Sequence, residues 1–131
     1  MANFMMMAHD KDPAEAIREE VGDISKARVL FNTLLVAKYV RPNKTTGGIL
    51  LTDKTRDEDL YQGKAHLVLK KGPRAFVDDG DVLFHGQNVE VGEWVVFRPS
   101  DGWDVTINGK QCRMVQDVHV KMVPPTPDMV W

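Results

Sequence analysis

The stretch Val105-Thr106-Ile107-Asn108-Gly109-Lys110-Gln111-Cys112 decides the fold class. Two short runs flank an Asn-Gly pair. Both central residues of a type I′ turn need positive φ, which Asn and Gly tolerate best, so the stretch reads as a tight antiparallel hairpin. Asp79-Gly80, between Ala75-Phe76-Val77 and Val82-Leu83-Phe84, reads the same way. Outward from these turns, strand-like runs recur from Ala27 to about Val123. Val29 to Val40 is rich in β-branched and aromatic residues. Gln62 to Lys70 alternates partly, with Ala65, Leu67 and Leu69 on one side and Lys64, His66, Val68 and Lys70 on the other. Val89 to Phe97 begins with alternation and ends as a continuous apolar run, as a buried strand does. Cys112 to Val123 alternates again, offering Met114, Val118, Val120 and Met122 to a core. Short strands, tight turns and little helix predict an all-β domain, a small barrel or sandwich.

One helix is signalled ahead of the strands. Asp12 suits an N-cap, Pro13 the first helical position and Glu15 the first turn, so a helix is predicted from about Pro13 to Val21, ending at Gly22. The chain thus divides into an N-terminal extension (1–26), a strand region (27–123) and a Pro-stiffened tail, Pro124 to Trp131.

With 131 residues, the length prior gives one domain. Seventeen Lys and Arg against 19 Asp and Glu leave a net charge of −2, which argues against nucleic acid or an anionic membrane as main partner. The single cysteine, Cys112, excludes an internal disulfide and a multi-Cys zinc site and reads as a small core residue. No apolar stretch approaches the roughly 18 residues that span a bilayer. Met1 to Ala8 is a poor signal peptide because it lacks a basic start. A reducing, cytoplasmic setting is the expectation.

Between Val40 and Leu60 the strand pattern stops. Arg41 to Gly48 has no periodicity, Thr52 to Asp59 is equally polar, and Ile49-Leu50-Leu51 forms one apolar island between them. Structureless connections this long are uncommon in small domains and usually functional. One reading is a long hairpin tip with the island tucked into the core. The other is a mobile arm, from about Arg41 to Asp59, that offers a hydrophobic plug to another protein. Such an arm loses entropy on binding and suits reversible, multivalent docking.

These residues carry a family resemblance. Arg28 to Val36 resembles the opening strand R-P-L-x-D-R-V-L-V of GroES-type co-chaperonins, the ring-shaped lids of GroEL-type folding chambers. Gly47-Gly48-Ile49-Leu50-Leu51-Thr52 resembles their mobile-loop motif G-G-I-x-L-x, Gln62-Gly63-Lys64-Ala65 the following strand start, and Val89 to Phe97 the motif V-K-V-G-D-x-V-x-F. The similarity covers about Ala27 to Val123. Departures include Val29 in place of the family's Pro and Asn32-Thr33 in place of its Asp-Arg pair. The terminal extensions, absent from the minimal bacterial protein, resemble virus- or phage-encoded relatives.

The resemblance implies a GroES-like barrel in a homo-oligomeric ring, a heptamer if the family is followed. It implies a GroEL-type chaperonin as partner, bound through Gly47, Gly48, Ile49, Leu50 and Leu51. Val29 and Leu30 of the first strand would pair with Val118 and Val120 of a neighbour's last strand, and a roof hairpin would span about 73–88. ATP and magnesium would belong to the chaperonin, with no cofactor here. The location would be the cytoplasm, that of the host for a phage-encoded protein. The alternative is a structural, capsid or decoration-type protein of a phage particle, in which the terminal arms grip neighbouring subunits within the virion.

No nucleotide cradle or hydrolase elbow is present. Ser100, Asp101 and His119 can be drawn as a triad, but Ser100-Asp101-Gly102 reads as a turn. His9, His66, His85 and His119 lack ligand spacing and read as surface or strand residues. Asp78-Asp79-Gly80-Asp81 lacks the pattern of a calcium loop, and Lys70 to Arg74 is too short a basic run for nucleic acid. No catalytic site is expected.

Overall fold

A computed structural model describes the chain except for residues 1–6, 8, 43–49, 51, 79, 81–82 and 131. The elements are α1 (Pro13–Val21), β1 (Thr33–Lys38), α2 (Asp53–Gln62), β2 (Ala65–Lys71), β3 (Trp94–Val96), β4 (Trp103–Ile107) and β5 (Lys110–Gln116). The strands form one antiparallel sheet in the order β3-β2-β1-β5-β4. After β5 the chain turns through Asp117–His119 and returns along β3. There Val96 N–H donates to Met122 O at 2.9 Å and Lys121 N–H to Val96 O at 2.9 Å. The free edge of β3 is thereby met by the continuation of β5, which curls the sheet toward a small barrel.

Both faces of the central strands are covered, as expected for Val36 or Leu67 in a near-continuous apolar run. On one face Leu35, Ala37, Leu67, Leu69 and Cys112 pack against Ile17 and Val21 of α1 and Val130 of the tail. On the other, Leu34, Val36, Val68, Val95, Phe97 and Val115 pack among themselves. Helix α1 of the N-terminal extension and Val130 of the tail therefore lie on the barrel of their own chain.

The Asn-Gly hairpin forms as read, with φ of 50° at Asn108 and 85° at Gly109. Its tip also does something unforeseen. Asn108 Nδ2 donates to Val21 O at 2.7 Å, capping the C-terminal end of α1, and Lys110 Nζ lies 3.4 Å from Glu20. Helix α1 has the expected bounds, with Gly22 at φ 74° beyond its end. Asp12, however, makes no side-chain cap; only its carbonyl accepts, from Ala16 N–H.

The structure departs from four expectations drawn from the sequence. First, β1 begins at Thr33, because Phe31 has φ 58° and Thr33 N–H turns back to Leu30 O. Val29 and Leu30 are thus outside any strand. Second, the Cys112 to Val123 run ends as a strand at Gln116, and Val118 sits in the Asp117–His119 turn. The buried Asp117 carboxylate explains the break: it accepts from Asn32 Nδ2 and Phe76 N–H, both at 3.0 Å. Third, the 73–88 segment holds no strand among its described residues. Asp78 gathers it into a loop by accepting from Phe84 N–H at 2.7 Å, while Phe76, Gly80, His85 and Gly86 have positive φ, which an extended ladder does not use. Fourth, the polar run after Thr52, expected to be structureless, is helix α2.

Candidate partner-binding segment and its base

Helix α2 is a poor helix by sequence alone. It is 10 residues long, too short to persist unaided, and Asp59 is its only side chain described as buried. Polar tethers to the rest of the chain hold it. Asp59 accepts from Arg41 three times: from the backbone N–H at 3.0 Å, Nε at 3.1 Å and Nη2 at 2.9 Å. Arg56 Nε in turn donates to Arg41 O at 3.0 Å. A buried charge needs such pairing, and the forked guanidinium supplies it in one rigid plane.

The far end of α2 is held from β5. Arg113, nearly fully buried, donates through Nη2 to Leu60 O at 3.2 Å and to Tyr61 O at 3.0 Å, the last carbonyls of the helix. Cationic donors at a helix C-terminus satisfy carbonyls that have no partner within the helix. Gly63, just past the helix, donates its N–H to Asp59 O at 3.1 Å, and a Cβ there would lie 2.6 Å from that oxygen, so this close approach needs glycine. The same Arg113 contacts Asp104 at 3.2 Å, and Asp104 contacts the buried Lys38 at 3.0 Å. These two cations hold the Asp104 carboxyl below its ordinary range, Lys38 contributing most.

His66 completes this buried cluster. Its Nε2 faces Arg113 Nη1 at 2.7 Å and its Nδ1 faces Lys64 O at 3.0 Å, a pattern that fits the neutral ring with the proton on Nδ1. Burial, then the Arg113 charge, lowers its pKa to about 3. The sequence reading placed His66 among surface or strand histidines; it is a fully buried strand residue, on the side of β2 that also carries Val68.

Of the plug residues expected from sequence, Gly47, Gly48, Ile49 and Leu51 lie outside the described residues. Leu50 is described and is 71% exposed, so it is not tucked into the core. The four residues expected at a subunit contact are not brought together within the chain. Val29 and Leu30 line one groove, beside Val91 and Pro73. Val118 and Val120 line another, of about 560 Å³, beside Leu83, Met122 and Val123. Leu30, Leu83, Val91 and Met122 are all exposed.

A third polar cluster joins the termini. Asp128 of the tail is buried and accepts from the Tyr39 hydroxyl and from Met7 N–H, and it lies 3.0 Å from His9 Nε2. Burial first, and Asp128 next, push the Tyr39 hydroxyl above its ordinary pKa. Sequence reasoning missed this clasp, the Arg41–Asp59 pair and Arg113, since none has a local motif. A charge at Arg113 between the apolar Cys112 and Met114 is the one hint available. Among the described residues no group of three His, Cys, Asp or Glu side chains is placed to hold a metal ion. No helix among them is long and apolar enough to cross a membrane.

Comparison with known proteins gives this geometry its setting. A family model described as chaperonin 10 Kd subunit matches residues 26–123, which include the whole sheet, the 43–51 segment and α2. The chain is 30% identical over 95 residues to Co-chaperonin GroES of Parvibaculum lavamentivorans, covering 72% of this chain and 85% of that protein. Co-chaperonin GroES of Caulobacter vibrioides is also 30% identical, over 72% of this chain and 93% of its own length. That of Pelagibacter ubique is 28% identical over the same shares. The chain belongs to the chaperonin 10 Kd family of GroES-type co-chaperonins.

Proposed function

We propose that this co-chaperonin works as one subunit of a seven-membered ring that caps a GroEL-type chaperonin in a nucleotide-dependent way. The contact is made by Gly47 to Leu51, with Ile49, Leu50 and Leu51 entering an apolar groove of the chaperonin. The observation that carries this reading is Leu50, a large apolar side chain left exposed between β1 and α2 in a barrel whose own core is closed on both faces. ATP and magnesium stay on the chaperonin, and the lid makes no covalent step. The setting is the cytoplasm.

Two separate grooves with exposed apolar rims support the ring. A closed ring is built head-to-tail, so each subunit needs two different patches rather than one self-complementary patch. Val29 and Leu30 on one side, and Val118 and Val120 on the other, meet that requirement. Contact there proceeds through loop and turn residues next to the strands, not through two regular edge strands.

The test is retention of the protein on a GroEL-type chaperonin with and without ATP, using wild type and Leu50→Asp. Wild type is expected to be retained only with ATP, and electron microscopy of the free protein to give seven-fold rings. Leu50→Asp places a charge in an apolar groove at a desolvation cost of several kcal/mol per copy, and across a multivalent ring capture is lost. Stability of the free protein moves by less than about 0.5 kcal/mol, as for an exposed position. A variant that melts early yet is still captured overturns the plug assignment.

A further inference from the structure

We infer that Arg41, Asp59 and Arg113 are positioning residues for partner capture: they fix α2 within the connection between β1 and β2 and so set where Leu50, three residues before the helix, is presented. The inference rests on the reading of residues 47–51 as the partner contact. Its basis is the way α2 is held. Apart from Asp59, the side chains described for α2 are exposed or half-exposed, so apolar docking contributes little to the helix. Its first and second turns are tied to the chain leaving β1, because Arg56 Nε and Asp59 both bind Arg41, across 15 and 18 positions of sequence. Its last turn is tied to β5, because Arg113 donates to Leu60 O and Tyr61 O.

These tethers close the connection at Arg41. Every residue of α2 is thereby ordered before a partner arrives, and the entropy of ordering a chain rises with the residues ordered. A segment whose base is already fixed binds with less entropy loss, the general advantage of preorganisation. The exposed Leu50 lies three residues before the first residue of α2, so the orientation of the helix sets where the apolar side chain is presented.

The test compares wild type with Asp59→Asn, which keeps the side-chain size and removes the charge, and with Arg56→Ala, a milder change should Asp59→Asn fail to fold. Arg41→Lys retains a single charged donor and is expected to fall between wild type and Asp59→Asn. Amide hydrogen exchange is followed in α2 and in β1 and β2, and ATP-dependent affinity for the chaperonin is measured by titration calorimetry. Exchange in α2 is expected to accelerate at least tenfold in Asp59→Asn while β1 and β2 keep their protection. Affinity falls about tenfold, with the loss carried by a less favourable binding entropy. An α2 that exchanges faster with unchanged affinity, or one whose exchange does not change, overturns the positioning role. A wild-type protein that the chaperonin fails to retain overturns the functional reading instead, and with it the purpose given to the tethers.

Discussion

β1 is buried on both faces, yet the two faces are closed by different parts of the chain. Leu34 and Val36 meet Val68, Val95, Phe97 and Val115, all from strands or strand ends within the region that matches the co-chaperonin family. Leu35 and Ala37 instead meet Ile17 and Val21 of α1 and Val130 of the tail, which lie outside that match. The first face is a core the sheet makes by curling on itself. The second is a sheet face sealed by the termini, which are fastened there by polar contacts at Asp128 and Asn108. In this chain the covering of the second face depends on both extensions.

The sharpest way to break that comparison is to truncate one large side chain on each face. Phe97 is 1% exposed and stacks on His66 with ring centroids 4.1 Å apart, so Phe97→Ala leaves a cavity that strands on all sides cannot fill. A loss of about 3–5 kcal/mol is expected in chemical denaturation. Ile17→Ala on α1 is expected to cost less, about 2 kcal/mol, because a docked helix can shift into the space. Equal losses, or a larger one for Ile17, would mean that α1 is integral to the core rather than laid upon it.

Acid separates the faces next. His66 lies beside Phe97 and has its pKa lowered to about 3 from the ordinary 6.5, by burial and by Arg113. The unfolded chain therefore takes up a proton at His66 between pH 6.5 and 3 that the folded chain refuses. Stability from this group is complete above pH 6.5 and is lost as pH falls toward 3, at roughly 1.4 kcal/mol per pH unit at most. The expected observations are an imidazole that does not titrate by NMR down to pH 4 and a denaturation midpoint that falls with pH. A His66 ring that titrates near 6.5 would show that water reaches the Arg113 cluster.

What was legible in the sequence follows the same division. Asp12-Pro13 and Gly22 delimit α1, and Asn108-Gly109 delimits the hairpin, because those signals act through the residues' own backbone preferences. Helix α2 was illegible, since Asp59 and Arg56 become helix-holding only once Arg41 and Arg113 arrive from elsewhere in the chain. The Ala75 to Phe84 hairpin was misread for the same reason. Asp78 binds Phe84 N–H and shapes a loop from a run whose apolar residues resemble a strand. For Leu50 the sequence left two readings open, tucked into the core or exposed, because no periodicity on either side assigned it a face; the structure shows it exposed.

The smallest effect expected tests where α1 gets its ends. Asp12 has the residue type of an N-cap but no side-chain hydrogen bond to the helix, whereas Asn108, far away in sequence, donates to Val21 O at the other end. Ser, Thr, Asp or Asn caps that make their bond are worth about 1 kcal/mol, and loss of a side-chain hydrogen bond to a carbonyl costs a similar amount. Asn108→Gly keeps the turn, since glycine accepts the φ of 50° found there, and removes only the bond to α1. It is therefore expected to lower stability by about 1 kcal/mol. Asp12→Ala removes no bond, only a negative charge near the helix N-terminus, and is expected to cost less than about 0.5 kcal/mol. Thermal melts of the two variants side by side decide the matter. If Asp12→Ala proves the more damaging, α1 is anchored by its own sequence, and the hairpin tip is a bystander at its C-terminal end.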